Sequence, residues 1–273
     1  MFKIPFAKMH ASGNDFIIID NRLDRVLGDV PAFVRKVCRP HFSVGADGLI
    51  LIEDSDTADF RWRFFNRDGG EVEMCGNGAR CASRFAFMAG ITGRELSFET
   101  LAGLIKAEVK EDTVKVRLTP PTGLSLGIKV AMGPVVREAS FINTGVPHVV
   151  YFVEDLGAVD VMGEGAFTRY NEMFKPDGAN VNFVKATGRG ELAVRTYERG
   201  VEGETFACGT GVTAAALVAA AKGLADPPVR VSTWGGNTLT VHFNRDGDGF
   251  SDVYLEGDAV LVFQGAIEDG AVL

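Results

Sequence analysis

Short apolar runs bounded by turn residues recur along the whole chain and predict strands. In the first half they are Ile4 to Met9, Phe16 to Asp20, Leu49 to Glu53, Phe60 to Asn66, Glu95 to Thr100, Leu104 to Val109 and Thr113 to Leu118. In the second half they are Val149 to Val153, Val181 to Val184, Leu192 to Tyr197, Val229 to Thr233, Leu239 to Phe243 and Asp252 to Leu255. Three segments read differently. Ala32 to Cys38 predicts a helix, with Pro31 at its start and Pro40 just beyond its end. Val212 to Ala221 is almost all alanine, valine and leucine, and Ala82 to Ala89 is nearly so. A helix that is apolar on every side must be buried. The expected architecture is α+β: two similar domains, each a mostly antiparallel sheet wrapped around a central buried helix. Pro120-Pro121-Thr122-Gly123 marks the division between them, because consecutive prolines interrupt both ladder pairing and helix.

The two halves also repeat a local pattern. Met74-Cys75-Gly76-Asn77-Gly78 and Ala207-Cys208-Gly209-Thr210-Gly211 each follow an acidic, glycine-containing loop and precede a helical run. Upstream of each lies an arginine-aromatic strand, Arg63-Phe64-Phe65-Asn66 or Arg195-Thr196-Tyr197-Glu198. One unit is used twice, with a thiol at the same point of each copy. If Cys-Gly-X-Gly opens a helix, the thiol lies beside backbone N–H groups without intrahelical partners, at the positive end of the dipole. Glycine there lets an anion approach the backbone closely. Two such termini can hold one carboxylate, with a thiol on either face of its α-carbon. Inverting a stereocentre needs that pairing, one base and one acid, and a close thiol pair favours the singly charged state.

Composition narrows the alternatives. The 273 residues carry a net charge of −8 with no basic cluster, which argues against nucleic acid or an anionic membrane surface as partner. No apolar run approaches the length of a membrane span, and the N-terminus lacks a signal peptide's apolar core, so a cytoplasmic location is expected. Four cysteines in so long a chain do not read as a disulfide framework. Cys38 and Cys81 read as small buried hydrophobes. Cys75 and Cys81 cannot bridge, since six residues of helix set them about 9 Å apart along the axis and roughly 240° around it. The four histidines are scattered, with no spacing suited to a metal.

These segments resemble the signatures of the diaminopimelate epimerase family. The resemblance is carried by His10-Ala11-Ser12-Gly13-Asn14-Asp15-Phe16, Gly45-Ala46-Asp47-Gly48 and Asn66-Arg67-Asp68-Gly69. It continues through the first cysteine motif, Pro147-His148, Asn180-Val181-Asn182-Phe183, and Tyr197-Glu198-Arg199-Gly200 up to the second cysteine motif. It implies a cofactor-free enzyme, without metal, that interconverts LL- and meso-2,6-diaminopimelate in lysine and peptidoglycan synthesis. Two domains are implied, 1–119 with a returning 264–273, and 120–263, with homodimers known in the family. By position, Cys75 and Cys208 would be the acid/base pair. Gly76, Asn77, Gly209 and Thr210 would hold the reacting carboxylate, and Asn14, Asn66, Asn180, Glu198 and Arg199 would read the substrate's amino and carboxylate groups. His148 would lie near the reacting centre, supporting a thiol or accepting from the amine. Arg63 and Arg80 would be structural.

Three departures concern recognition rather than the thiols. Val146 stands where many relatives have asparagine, Gly48 where some have glutamine, and the loop before Cys208 carries an extra residue. The nearest competing reading is a proline or hydroxyproline racemase, which usually has histidine at the place of Asn77 and an aspartate close before the second cysteine. A phenazine-type isomerase would lack the cysteine pair, and a redox or amino-acid-binding protein would not need the surrounding amide, glutamate and arginine set.

Overall fold

The computed structural model describes residues 3–133, 135–247 and 249–268. Among them the chain forms two compact units, 3–116 with 257–268, and 117–256. The divisions expected at 119/120 and 263/264 compare with 116/117 and 256/257, and residues 269–273 of the expected return lie outside the described residues.

Each unit is a mixed sheet, and the strand order is the same in both. In the first unit, Val260–Glu268 pairs with Lys3–Ala11, which pairs with Asn14–Asp20, all antiparallel. Asn14–Asp20 runs parallel to Gly48–Glu53, and that strand is antiparallel to Phe60–Asn66. Phe60–Asn66 is parallel to Glu95–Thr100, which continues antiparallel through Gly103–Val109 and Thr113–Arg117. In the second unit the same sequence of pairings runs Thr122–Met132, Val135–Asn143, Pro147–Phe152, then parallel to Asn180–Gly188. Glu191–Glu198 follows antiparallel, then Val229–Thr233 in parallel, then Thr238–Asp246 and Gly249–Asp258 antiparallel. The edge position that Thr122–Met132 fills in the second unit is filled in the first by Val260–Glu268, from the far end of the chain.

Each parallel pair needs a crossover, and a helix supplies it. α1 (Val30–Val37) and α2 (Gly76–Met88) bridge the two parallel pairs of the first unit; α3 (Val161–Arg169) and α4 (Gly209–Ala221) do so in the second. α2 and α4 are the buried pair the apolar runs predict; α4 begins three residues before its run and α2 six residues before its own. Their N-caps are Cys75 and Cys208. Every residue of α4 from Gly211 to Ala220 is buried, and the helix packs into the core formed by the strands of its unit. Small side chains make that enclosure possible. Burial of Val212, Leu217 and Val218 contributes roughly 1.5–3 kcal/mol each.

Three long strands and one α-helix lie outside the expected set, besides two short strands. Thr122–Met132, Val135–Asn143 and Val260–Glu268 alternate poorly because many of their positions are exposed. α3 contains Gly163 and Gly165, which depress helix propensity. Gly165 is required there: a Cβ would lie 2.6 Å from Tyr197 Cβ. The acidic loops before the cysteines are in fact short strands, Glu71–Val72 and Gly203–Thr205, each folded back on the arginine-aromatic strand. Equivalent ion pairs hold them there, Arg63 to Glu71 at 2.8 Å and Arg195 to Glu204 at 2.6 Å. Among the described residues no helix is long and apolar enough to cross a membrane.

Candidate active site

In the first unit the chain enters α2 through Cys75, whose backbone is extended while its carbonyl already accepts from Ala79 N–H at 2.8 Å. The half-buried sulfur accepts from the Gly78 N–H at 3.5 Å and lies 3.8 Å from Asn14 Oδ1. Asn14 opens its strand at the turn after Ser12-Gly13, and its Nδ2 donates to Asp47 at 2.8 Å. The Asn77 amide donates to Asn14 Oδ1 at 3.4 Å and accepts from Arg80 at 2.9 Å. The chain of bonds therefore runs from a guanidinium to a carboxylate, and both amides are oriented by it.

Arg80 has no exposed surface. Its guanidinium also donates to Ser12 Oγ at 3.2 Å, to the Asp258 carbonyl at 3.0 Å and to the Gly76 carbonyl at 3.5 Å, with the Asp258 carboxylate 4.0 Å away. Burial lowers its pKa, offset in part by the neighbouring acidic groups. A buried cation in the first turns of a helix adds to the positive field that the dipole already places there. The N-terminus of α2 is thus doubly disposed to an anion.

The second unit presents the same device with different partners. Cys208 precedes α4 in extended backbone, its carbonyl accepting from Val212 N–H at 2.9 Å, and its sulfur lies 3.5 Å from Thr210 Oγ1. Thr144 Oγ1 donates to the Thr210 carbonyl at 3.0 Å. Cys208 is 7% exposed, and burial holds its thiol well above the usual range, reinforced by the charge of Glu198 and opposed by the Thr210 hydroxyl. Burial likewise raises the Glu198 carboxyl, against hydrogen bonds from Thr205 and Cys208. The two groups share one environment, so they do not both ionise readily. Asn180 Oδ1 accepts from the Arg199 backbone N–H at 2.8 Å, and His148 is completely buried beside Asn182.

Two tests of this packing follow. A Cβ at Gly211 would sit 2.3 Å from Asn182 Oδ1 and 3.3 Å from Cys208 Sγ. The Asn182 amide is tied to Thr196, His148 and Val149, so it has no room to swing aside. Gly211→Ala is expected to destabilise the protein by about 2 kcal/mol and to lower kcat; a urea midpoint and a turnover rate equal to the parent's would show that Asn182 can yield.

The second test uses the His148 imidazole, whose pKa burial depresses from 6.5 to about 3, helped by the Arg199 charge. The unfolded chain therefore binds a proton between those values that the folded chain refuses. Stability falls as pH drops below 6.5, by about 1.4 kcal/mol per pH unit from this one group. Urea unfolding at several pH values should show His148→Gln lacking that share of the slope, and an identical slope would contradict it.

The structure gathers Cys75, Gly76, Asn77 and Asn14 in one unit, and Cys208, Gly209, Thr210, Glu198, Arg199, Asn180 and His148 in the other. Asn66 ends its strand with an exposed side chain, its backbone N–H closing the turn on the Gly70 carbonyl. Strand register relates the two sets. Phe16 pairs with Gly48 as His148 pairs with Asn180, and Gly48 pairs with Asn66. Val181 pairs with Tyr197, which sets Asn180 across from Glu198. Gly48 is thus the counterpart of Asn180, Asn66 of Glu198, and Val146 of Asn14. The glycine at 48 has a local cause, since a Cβ would meet the Phe64 ring at 2.6 Å and the Phe65 carbonyl at 2.7 Å. Asp47, Asp258 and Asn182 escaped the sequence reading as site residues. Asn182 left a signal, as the polar position inside the apolar Val181 to Val184 run. Asp258 left none, because its partners Ser12 and Arg80 are distant in sequence. Cys38 and Cys81 are buried and free, and burial pushes the Cys38 thiol up to about 12.

The family model for diaminopimelate epimerase matches residues 6–136 and 140–262. The chain is 49% identical to the diaminopimelate epimerase of Aquifex aeolicus, over 97% of this chain and 98% of that one. It is 42% identical to the diaminopimelate epimerase of Archaeoglobus fulgidus, over 97% and 96% respectively. Among solved structures, a phenazine biosynthesis protein from Bacillus anthracis has a TM-score of 0.76 at 16% identity, covering 98% of this chain and 100% of that one. A hydroxyproline epimerase from Agrobacterium vitis has a TM-score of 0.69 at 18% identity, covering 98% and 91%. At those identities the likeness is one of fold.

Proposed function

We propose that this chain, which belongs to the diaminopimelate epimerase family, interconverts LL- and meso-2,6-diaminopimelate with Cys75 and Cys208 as the two acid/base groups. The observation that carries the reading is the repeat of one device: a cysteine capping a buried helix whose first N–H groups are free to bind an anion. The substrate's reacting carboxylate takes those N–H groups, at Gly76 and Asn77 and at Gly209 and Thr210. One thiolate removes the α-hydrogen, becoming a thiol as the C–H bond breaks. The other thiol gives its hydrogen to the opposite face, becoming the thiolate. Charge that builds on the carboxylate as the carbanion forms is met by helix N-termini and, beneath α2, by buried Arg80.

The two thiols are not equivalent at rest. Cys208, enclosed and beside Glu198, stays protonated and serves as acid; Cys75, half-exposed and accepting an N–H, supplies the base. After one turnover the roles are exchanged. Glu198 and Arg199 match an ammonium and a carboxylate of the substrate, and Asn14, Asn66 and Asn180 provide amides for either. Every proton is assigned to a cysteine, so a cofactor has no step to perform. Reduced thiols are needed throughout, which places the activity in the cytoplasm.

Proton NMR of LL-diaminopimelate in D2O with reduced protein and no additive tests the reading. Loss of the α-proton signal with growth of the meso isomer is the expected result. No exchange, with the thiols shown to be free, would overturn it; exchange in proline or hydroxyproline instead would reassign the substrate.

A further inference from the structure

We propose that Asn182 is a positioning residue that locks His148 as a neutral Nε2–H donor, and that this donor serves an anionic acceptor during the reaction, either a substrate carboxylate oxygen or a cysteine thiolate. The proposal rests on the epimerase reading above; of the two parts expected of His148, supporting a thiol or accepting from the amine, it rules out the second.

The argument begins with Asn182, which has no exposed surface. Its Nδ2 lies 3.1 Å from the Val149 carbonyl oxygen, which can only accept, so that end of the amide is the nitrogen. Its Oδ1 accepts from Thr196 Oγ1 at 3.0 Å. The second hydrogen on Nδ2 therefore points at His148 Nδ1, 3.1 Å away. Facing a donor that has no alternative orientation, Nδ1 must accept. A neutral imidazole that accepts at Nδ1 carries its hydrogen on Nε2. Protonating the ring would set two donors against each other in a site without water access.

His148 Nε2 is buried and has no hydrogen-bond partner among the described residues. A buried donor left unmatched is costly, and such groups persist where something else completes them. The charge acting on this ring is the Arg199 guanidinium, which donates to the Asp177 carbonyl at 3.3 Å. A fixed N–H and a nearby cation together call for an anion. An ammonium group has no lone pair to offer the N–H, and the ring has no acceptor left to offer it.

The test is long-range proton–nitrogen NMR of protein carrying 15N-histidine. The expected spectrum shows His148 as the Nε2–H tautomer, unchanged between about pH 5 and 8. In one arm, saturation with diaminopimelate shifts the Nε2–H signal if the acceptor is a carboxylate. In the other, the signal moves in free enzyme as the thiols ionise, and alkylation abolishes the movement, if the acceptor is a thiolate. An Nδ1–H tautomer, an imidazolium, or an Nε2–H signal that moves in neither arm would overturn the proposal. Asn182→Asp offers an acceptor to Nδ1 and should flip the tautomer, lowering kcat by about 10²-fold with a smaller change in KM. A merely structural Asn182 would cost stability without flipping it. The wild-type spectrum decides the tautomer even where that variant fails to fold. Failure of the epimerase reading shows separately, as LL-diaminopimelate that keeps its α-proton signal in D2O beside a His148 that still carries its hydrogen on Nε2.

Discussion

Cys75→Ala and Cys208→Ala are each expected to lower the rate of epimerisation by about 10³-fold or more while leaving the fold intact. Inversion requires a hydrogen to leave one face and another to arrive at the opposite face, so one thiol cannot do both. Neither sulfur is a structural keystone: Cys75 Sγ makes contacts at 3.5 and 3.8 Å, and Cys208 Sγ lies 3.5 Å from a hydroxyl. The remaining thiol can still remove a proton from the isomer whose α-hydrogen faces it. Each variant should therefore take solvent deuterium into one stereoisomer only, and the two variants into opposite ones. The same proton NMR assay reads both effects. Full epimerisation by either variant, with far-UV circular dichroism unchanged, would end the two-base account.

Arg80→Met should be the most damaging substitution outside the thiols. The side chain is entirely enclosed and donates to Asn77, Ser12 and the carbonyls of Asp258 and Gly76. Methionine fills much of the volume but takes the donor from the buried Asn77 Oδ1 and from the Asp258 carbonyl, and the Asp258 carboxylate loses its nearby cation. A loss of about 3 kcal/mol is expected from such a network. Activity should fall further than stability explains, because Asn77 would no longer be held with its Nδ2 toward Asn14. Urea unfolding measures the first effect. Turnover well below the unfolding transition measures the second, with Arg80→Lys as a partial replacement that keeps the charge and loses the fork. A Met variant of parental stability would show that these bonds contribute little net free energy.

Much of the site was legible because its chemistry is local. Cys75-Gly76-Asn77-Gly78 and Cys208-Gly209-Thr210-Gly211 specify a helix start, a thiol and free N–H groups within four residues, and both helices begin there. The buried helices were readable from their uniformly apolar composition. α3 was not, because two glycines disguise it, although the repeat called for a crossover helix at that point. Val260–Glu268 was not, because an edge strand with exposed positions carries little alternation. Arg80 was assigned a structural part, and the structure adds that it orients an amide of the site.

The order of residues alone determined the two thiols, the helices they cap, the repeat and the family, since each depends on neighbours within one short segment. Only the tertiary structure decided which polar side chains complete one another. Ser12, Arg80 and Asp258 meet because the strand after Gly249 carries the chain back to its beginning, so that Val260–Glu268 pairs with Lys3–Ala11. His148 and Asn182 meet because their strands run parallel in one register. Hydrogen bonds act over about 3 Å, and a pKa responds to burial. Both depend on distances that folding sets between residues far apart in the chain.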